Sequence, residues 1–415
     1  MKKIKQISVF EHQRLLVGTN GFKQVHLDAL LKLNEYHDGK YFEPIAKGLK
    51  FNQYVGIIQV NGLVIQIHPK ADKDDDDSRW SGVLLNMLKA CGKLKASSVG
   101  FANVNRKNLN LLEVYFELYL QEIDSLLRKG LVKKYRKQTK NTKALKGKLE
   151  FAGHLQKNII HKERFYTTHQ VYDENHLLHQ VLYKALSIVS YFTKGTRLYD
   201  HVKRAQLNFP EVSNSNITKN QLENIKLNRK TKDYSYALEL ARLIILNFSP
   251  DISSGKEKML SLLFDMNELW ETYILKQLTK ISDQYNFEIS GQESKPFWGN
   301  NYLRPDIVLR KNDEAYIIDT KWKRPKLSAS VNDLRQIYTY CRFWDAKKGI
   351  LLYPGDSNFE FQDYKTDDYS KSEENEPKDI KHQCKLGMVD VFDSCGKNLN
   401  PDIGLDILRI IEVTI

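Results

Sequence analysis

The sequence predicts a mixed α/β protein with a β-rich N-terminal region, a helical middle and a C-terminal α/β core. Three observations carry this. Short β-branched runs broken by turn residues fill residues 1–105, apolar residues spaced three and four apart dominate 106–252, and the order helix, strand, strand, helix, strand runs through 253–415. With 415 residues, 41% hydrophobic and 11% aromatic, the chain carries enough apolar surface for more than one core.

In the first region, "YVGIIQVNGLVIQIHPK" (54–70) reads as a hairpin, two apolar runs around Asn61-Gly62. The following "ADKDDDDSRW" reads as a solvated acidic loop. The N-terminal "MKKIKQISVFEHQRLL" breaks its apolar run at Glu11 and His12, and nothing in the chain approaches the roughly 18 apolar residues of a membrane span. A soluble, cytoplasmic protein without membrane contact is expected. The four cysteines, Cys91, Cys341, Cys384 and Cys395, form no CxxC pair, so neither a disulfide framework nor a zinc knuckle is expected.

The middle region opens with "NLLEVYFELYLQEIDSLLRKG", whose stripe of Leu112, Tyr115, Phe116, Tyr119, Leu120, Ile123 and Leu127 predicts an amphipathic helix closed by Gly130. Residues 175–192 and 234–248 read the same way. Between the helices, Arg128 to Lys148 holds ten basic residues and no acid. The whole chain is basic too, with 64 Lys and Arg against 51 Asp and Glu, a net charge of +13 and a pI of about 9.2. Such a balance favours an anionic partner. Lys133, Lys134, Arg136 and Lys137 are the candidates for phosphate contact, and a solvated basic face or a docking surface for an acidic protein patch stands as the other reading. The histidines His161, His169, His176 and His179 cluster loosely, and only the last two share helical spacing. They read as satisfied or surface histidines, not as zinc ligands.

In the third region, "SPDISSGKEKML" suggests a linker or turn, residues 259–281 a helix, residues 330–344 another, and "KKGILLYPG" a strand. The polar stretch 363–383 reads as a mobile surface loop between two strands, after which "CKLGMVDVFD" resumes the sheet. At the centre lies "NNYLRPDIVLRKNDEAYIIDTKWKRP" (300–325), two apolar runs that pair if "KNDE" is a turn. Alternation along a strand puts Ile317, Asp319 and Lys321 on one side. Asp306, heading the partner run behind Pro305, would bring a second carboxylate alongside. Two carboxylates and the backbone carbonyl of Thr320 make a hard-oxygen site suited to Mg²⁺ or Mn²⁺ and phosphate chemistry, with Lys321 placed to orient a water and stabilise developing charge. Surface charges at a strand end would look the same in isolation.

In context, Pro305-Asp306 with Asp319-Thr320-Lys321 resembles the PD-(D/E)xK nuclease superfamily, which implies a restriction-endonuclease-like α/β core. That resemblance implies a further carboxylate on the preceding helix, chosen among Asp265, Glu268 and Glu271; Glu271, directly after Trp270, is the choice. It also implies supporting roles for Gln336 and Tyr340 of "DLRQIYTY", which share a helix face. Over most of the chain, the hairpin 54–70, the basic segment, "YDENHLLHQVLYKAL" and "LFDMNELWETYI" resemble, in this order, the McrC family, the nuclease subunit of McrBC-type modified-cytosine restriction systems. The resemblance implies a hexameric AAA+ GTPase partner, bound through the N-terminal region and stimulated, with double-stranded DNA as substrate. The chain itself holds no G-x-x-x-x-G-K-[ST], so a nucleotide-driven step would be supplied in trans. A self-sufficient repair or recombination nuclease and a non-catalytic GTPase-stimulating adapter are the alternatives.

Overall fold

In the computed structural model of the chain, the described residues are 5–60, 62–69, 77–94, 110–250, 258–323, 329–356, 359–364, 382–396 and 398–413. The backbone divides into two compact units. One is built on Val99–Leu262, and the other combines Ile4–Ile58, Gly62–Ser98 and Leu263–Ile415.

The second unit is organised around a six-stranded sheet, in the order Glu288–Gly291, Ile307–Lys311, Glu314–Thr320, Ala346–Pro354, Gln383–Val389 and Gln362–Asp363. The middle strands are parallel and the outer ones antiparallel. Because both faces are covered, these strands read as continuous apolar runs and not as alternating ones. Helix Val331–Trp344 packs Ile337, Cys341 and Trp344 against Val308, Ile317, Leu351 and Tyr353. Its approach is close: a Cβ on Gly349 would lie 2.8 Å from the Cys341 sulfur. Helices Met266–Tyr285 and Ile403–Ile411 cover the other face, where Ile350 and Ile410 meet over Gly387.

Residues 259–264, expected to open a helix, lie instead in the strand Lys258–Asp265, where Met259, Leu260, Ser261 and Leu262 are all buried. The helix begins only at Met266, because the Asp265 carboxylate accepts the Asn267 N–H at 2.9 Å and caps it. The N-terminal region contains strands, as expected, including Lys5–Phe10 running parallel to Leu63–His68 and Tyr54–Val60 beside the latter. It also contains helix Gln24–Tyr36 and helix Asp77–Ala90, so the last residues of the supposed acidic loop are helical. Asn61 and residues 70–76 lie outside the described residues, as does most of the expected 363–383 loop; its flanks pair as Gln362–Asp363 against Gln383–Val389.

The N-terminal segment is joined to the sheet by buried polar contacts. Glu11, 1% exposed, accepts the Trp322 indole N–H at 2.7 Å, and the Trp322 ring meets the buried Trp270 at 5.2 Å. Helix Asp77–Ala90 leads into Cys91, whose thiol lies 3.6 Å from the Leu269 carbonyl.

In the first unit, Leu111–Lys129 forms as predicted, its N-terminus closed by a reciprocal cap between Asn110 and Glu113 and its C-terminus by Gly130 at φ 82°. Leu177–Phe192 and Ser235–Leu246 are likewise helical. The basic segment contains a strand, Lys134–Thr142, paired along its whole length with Phe165–Asp173, to which Lys148–Leu149 also pairs. Its charges hid the alternation of Tyr135, Lys137 and Thr139 on one face with Lys134, Arg136 and Gln138 on the other. Among the described residues, no helix is long and apolar enough to cross a membrane.

The Glu11–Trp322 bond generates a stability prediction. Glu11→Leu removes an acceptor from a buried N–H and should lower unfolding free energy by about 1–3 kcal/mol, while Glu11→Gln, which keeps an oxygen there, should cost clearly less. Denaturant midpoints of the two variants, compared with the parent chain, measure this; equal losses would contradict it.

Candidate active site

The site grows from a two-residue turn. Asn312 and Asp313 both adopt positive φ, 49° and 61°, which gives the twist that joins two antiparallel strands tightly. The resulting register places Ile307 opposite Ile318, so Asp306 and Asp319 stand opposite one another at the far end of the pair. Asp319 is 1% exposed. The Lys321 ammonium lies 2.6 Å from its carboxylate. One oxygen of Asp306 accepts both the Thr320 backbone N–H at 2.7 Å and its hydroxyl at 2.9 Å. Lys321 is itself held by its backbone N–H, which donates to the Leu352 carbonyl at 2.9 Å.

The electrostatics follow from this crowding. Burial pushes the Asp319 carboxyl up, the Asp306 charge adds to that, and Lys321 only partly offsets them. Burial pulls the Lys321 ammonium down, but Asp319, Asp306 and Asp333 together push it above its ordinary value. Glu271, on helix Met266–Tyr285, is raised to about 7, first by burial and then by Asp306. The other two candidate acids are otherwise engaged. Asp265 caps that helix and sits 3.4 Å from the Gln53 amide, and Glu268 pairs with Lys93 at 3.4 Å. Gln336 donates to the Tyr340 hydroxyl at 2.9 Å, and Tyr340 feels the charges of Asp319, Asp306 and Lys321. Thus Asp306, Asp319, Lys321, Glu271, Gln336 and Tyr340 are gathered about one end of the sheet.

Three participants were not anticipated, Gln292, Arg304 and Asp333. Gln292 donates to Glu271 at 2.6 Å and accepts from Arg304, and its backbone N–H donates to the Asp306 carbonyl at 2.9 Å. Asp333 pairs with Lys323 at 2.9 Å, and its charge reaches Asp319 and Lys321. Two had a signal in the sequence, since Arg304 immediately precedes Pro305-Asp306 and Asp333 lies one helical turn before Gln336. Gln292 had none.

Among the described residues, no three His, Cys, Asp or Glu side chains form a ready-made metal cluster. The oxygen donors here are two adjacent carboxylates, one deeply buried and raised first by that burial and then by the other. This suits a divalent cation that keeps several waters and takes only one or two protein carboxylates.

The other candidates fall elsewhere. Arg136 makes a two-pronged ion pair with Asp173, at 2.8 Å for its shortest contact, and Lys133 lies 3.5 Å from Glu174. The acids missing from the run itself therefore come from the paired strand and its end. Lys134 is half-buried, whereas Lys137, Lys140, Lys143 and Lys146 are exposed. The rings of His176 and His179 lie 4.0 Å apart, tilted by 35°, and bond the carbonyls of Val132 and Glu174, which leaves them structural.

The McrBC 5-methylcytosine restriction system component family matches residues 49–354. The chain is 21% identical over 272 residues to the type IV methyl-directed restriction enzyme EcoKMcrBC of Escherichia coli K12, covering 59% of this chain and 77% of that protein. Its fold is similar to a chain in the half-complex of a tetradecameric assembly of Thermococcus gammatolerans McrB AAA+ hexamers with bound McrC. The TM-score there is 0.68 at 20% identity, over 99% of this chain and 100% of the other. A chain of the Thermococcus gammatolerans McrBC complex aligns with a TM-score of 0.50 at 22% identity, over 66% and 87%. With the family match spanning about three quarters of its length, the chain belongs to the McrBC 5-methylcytosine restriction system component family.

Proposed function

We propose that this chain is the DNA-cleaving subunit of a GTP-dependent restriction system, hydrolysing phosphodiesters of double-stranded DNA with a divalent cation in assembly with an AAA+ GTPase that it stimulates. The observation that carries the reading is the juxtaposition of Asp306, Asp319 and Lys321, with Glu271 beside them, at one end of the sheet. Asp306, Asp319 and the Thr320 carbonyl would hold Mg²⁺ or Mn²⁺, which supplies Lewis-acid charge at the scissile phosphate when bound. Thr320 orients the Asp306 carboxylate through two hydrogen bonds. Lys321 steers and activates the attacking water and stabilises charge developing on the phosphate oxygens. Glu271, with its raised carboxyl, is placed to accept a proton from that water or to complete the oxygen set. Family membership and the McrB-bound relative support a GTPase partner, and with no phosphate-binding loop in this sequence a nucleotide-driven step would be that partner's.

Asp306→Asn, Asp319→Asn and Lys321→Ala should each lower the cleavage rate by about 100-fold or more while leaving partner assembly intact, and Glu271→Gln should lower it less. Cleavage of plasmid DNA is measured with the chain alone and with its GTPase and GTP. Rapid cutting without GTP would favour a self-sufficient nuclease, and GTPase stimulation without any cutting an adapter.

The raised acids also set a pH dependence. Their folded pKa values exceed the ordinary ones, 4.5 in the case of Glu271, so folding favours the protonated forms. The stability they contribute in chelator is complete below about pH 4 and is lost as pH rises through about 7. Glu271→Gln should therefore gain stability over the parent at pH 8, on the order of 2 kcal/mol, and little at pH 4. Added Mg²⁺ should narrow the gap by favouring the ionised carboxylates. Denaturation midpoints at the two pH values, with and without Mg²⁺, check both statements.

A role for the basic segment in tracking DNA is tested on its exposed lysines, not on the ion-paired Arg136. Changing Lys137, Lys140, Lys143 and Lys146 to Gln should reduce the log–log salt slope of DNA binding by about one unit for each phosphate no longer neutralised. An unchanged slope with failed GTPase assembly would make the segment a protein-docking surface.

A further inference from the structure

Between strands Glu288–Gly291 and Ile307–Lys311 the chain leaves the core sheet and forms a ribbon, Lys295–Trp298 paired antiparallel with Asn301–Leu303. Residues Pro296 to Tyr302 are all exposed, and the rings among them strongly so: Phe297 at 52%, Trp298 at 76% and Tyr302 at 62%. Two strands with no covered face are marginal in water, so such a ribbon persists only if its root is secured. It is: the Lys295 ammonium donates to the Phe343 carbonyl at 2.8 Å and lies 4.8 Å over the Trp344 ring, and Phe297 meets Phe343 edge-on at 5.5 Å. The root is fixed to helix Val331–Trp344, and the tip, Trp298-Gly299-Asn300-Asn301-Tyr302, stands in solvent.

Two observations select the occupant. The first is charge: from Lys295 to Arg304 the segment carries two bases and no acid, and its tip offers rings and amides, the groups that stack on bases and pair with their edges. The second is position. From the second strand the chain continues through Arg304 and Pro305 directly into Asp306, at most about 14 Å from Tyr302. Arg304 bonds Gln292, which bonds Glu271, so the base of the ribbon and the acid cluster form one connected network. A duplex with a phosphate at Asp306 and Asp319 would have this ribbon within reach, and a two-stranded β-ribbon has the width that a major groove admits.

We propose that the ribbon Lys295–Leu303 is a DNA-contacting element that enters the groove of the duplex beside the cleaved bond and sets Trp298 and Tyr302 against the bases. The proposal rests on the nuclease reading for its substrate, but its test does not require cleavage. Binding of the full-length chain to a fluorescein-labelled 30-base-pair duplex in Ca²⁺ is measured by anisotropy for the parent, Trp298→Ala/Tyr302→Ala and Trp298→Phe. The double variant should bind about tenfold more weakly per ring removed, and its KM for cleavage should rise. DNA should quench part of the parent's tryptophan emission, and that part should be missing in Trp298→Phe, a change too small to disturb folding.

Unchanged affinity together with unchanged quenching overturns the proposal, whether or not the chain cuts DNA. Loss of self-association in sedimentation with unchanged DNA binding also overturns it, in favour of a second copy of this chain as the occupant. If the parent binds DNA through the ribbon yet never cleaves with its GTPase and Mg²⁺, the nuclease reading fails and the ribbon assignment stands.

Discussion

The antiparallel register that sets Ile307 opposite Ile318 also sets Asp306 opposite Asp319, and the whole acid cluster depends on it. A slip by one residue would turn every side chain to the other face. The register is protected twice, by the two-residue turn at Asn312-Asp313 and by fully buried neighbours on both faces, Val308 and Ile317 toward one helix layer and Ile307 and Ile318 toward the other. Apolar strands thus deliver two like charges to one place, and bury one of them, Asp319, almost completely. Thr320 and Lys321 offset part of that cost, and the remainder is seen in the raised carboxyls of Asp319 and Glu271.

The surroundings of this pair come from distant stretches of sequence. Trp322 follows Lys321, and Trp270 precedes Glu271; the two indoles meet, so the strand end and the helix that carry these groups are packed against each other. Glu11, from the first strand's end, holds Trp322 through a buried hydrogen bond. The N-terminal segment is therefore part of the same unit as the acid cluster, although more than 300 residues of sequence separate Glu11 from Trp322.

In the first unit, the basic stretch shows how a sheet can redistribute charge. Along the sequence it is a run of cations without a counterion, yet Arg136 and Lys133 meet Asp173 and Glu174 once the two nine-residue strands pair. The pairing engages Arg136 and Lys133, while Lys137, Lys140, Lys143 and Lys146 stay exposed without an acid from the run itself. Partly exposed pairs of this kind contribute modestly to stability, so their main effect here is on which lysines remain available.

Much was legible in the order of residues. The helices Leu111–Lys129, Leu177–Phe192 and Ser235–Leu246 followed from apolar spacing, because a stripe buried on one side must repeat every three to four residues. The strand pair around "KNDE", and with it the meeting of Asp306, Asp319 and Lys321, followed from alternation and turn chemistry, which are local. Where burial on both faces erased the period, as in Met259 to Leu262, or charge masked it, as in Lys134–Thr142, local pattern misled. The Gln292–Arg304 link, the pairing of Asp333 with Lys323 and the Glu11–Trp322 bond were decided only by the tertiary structure. Each is a contact between groups that lie apart in sequence, and only packing of the sheet against its helices brings such groups within hydrogen-bonding and Coulombic reach.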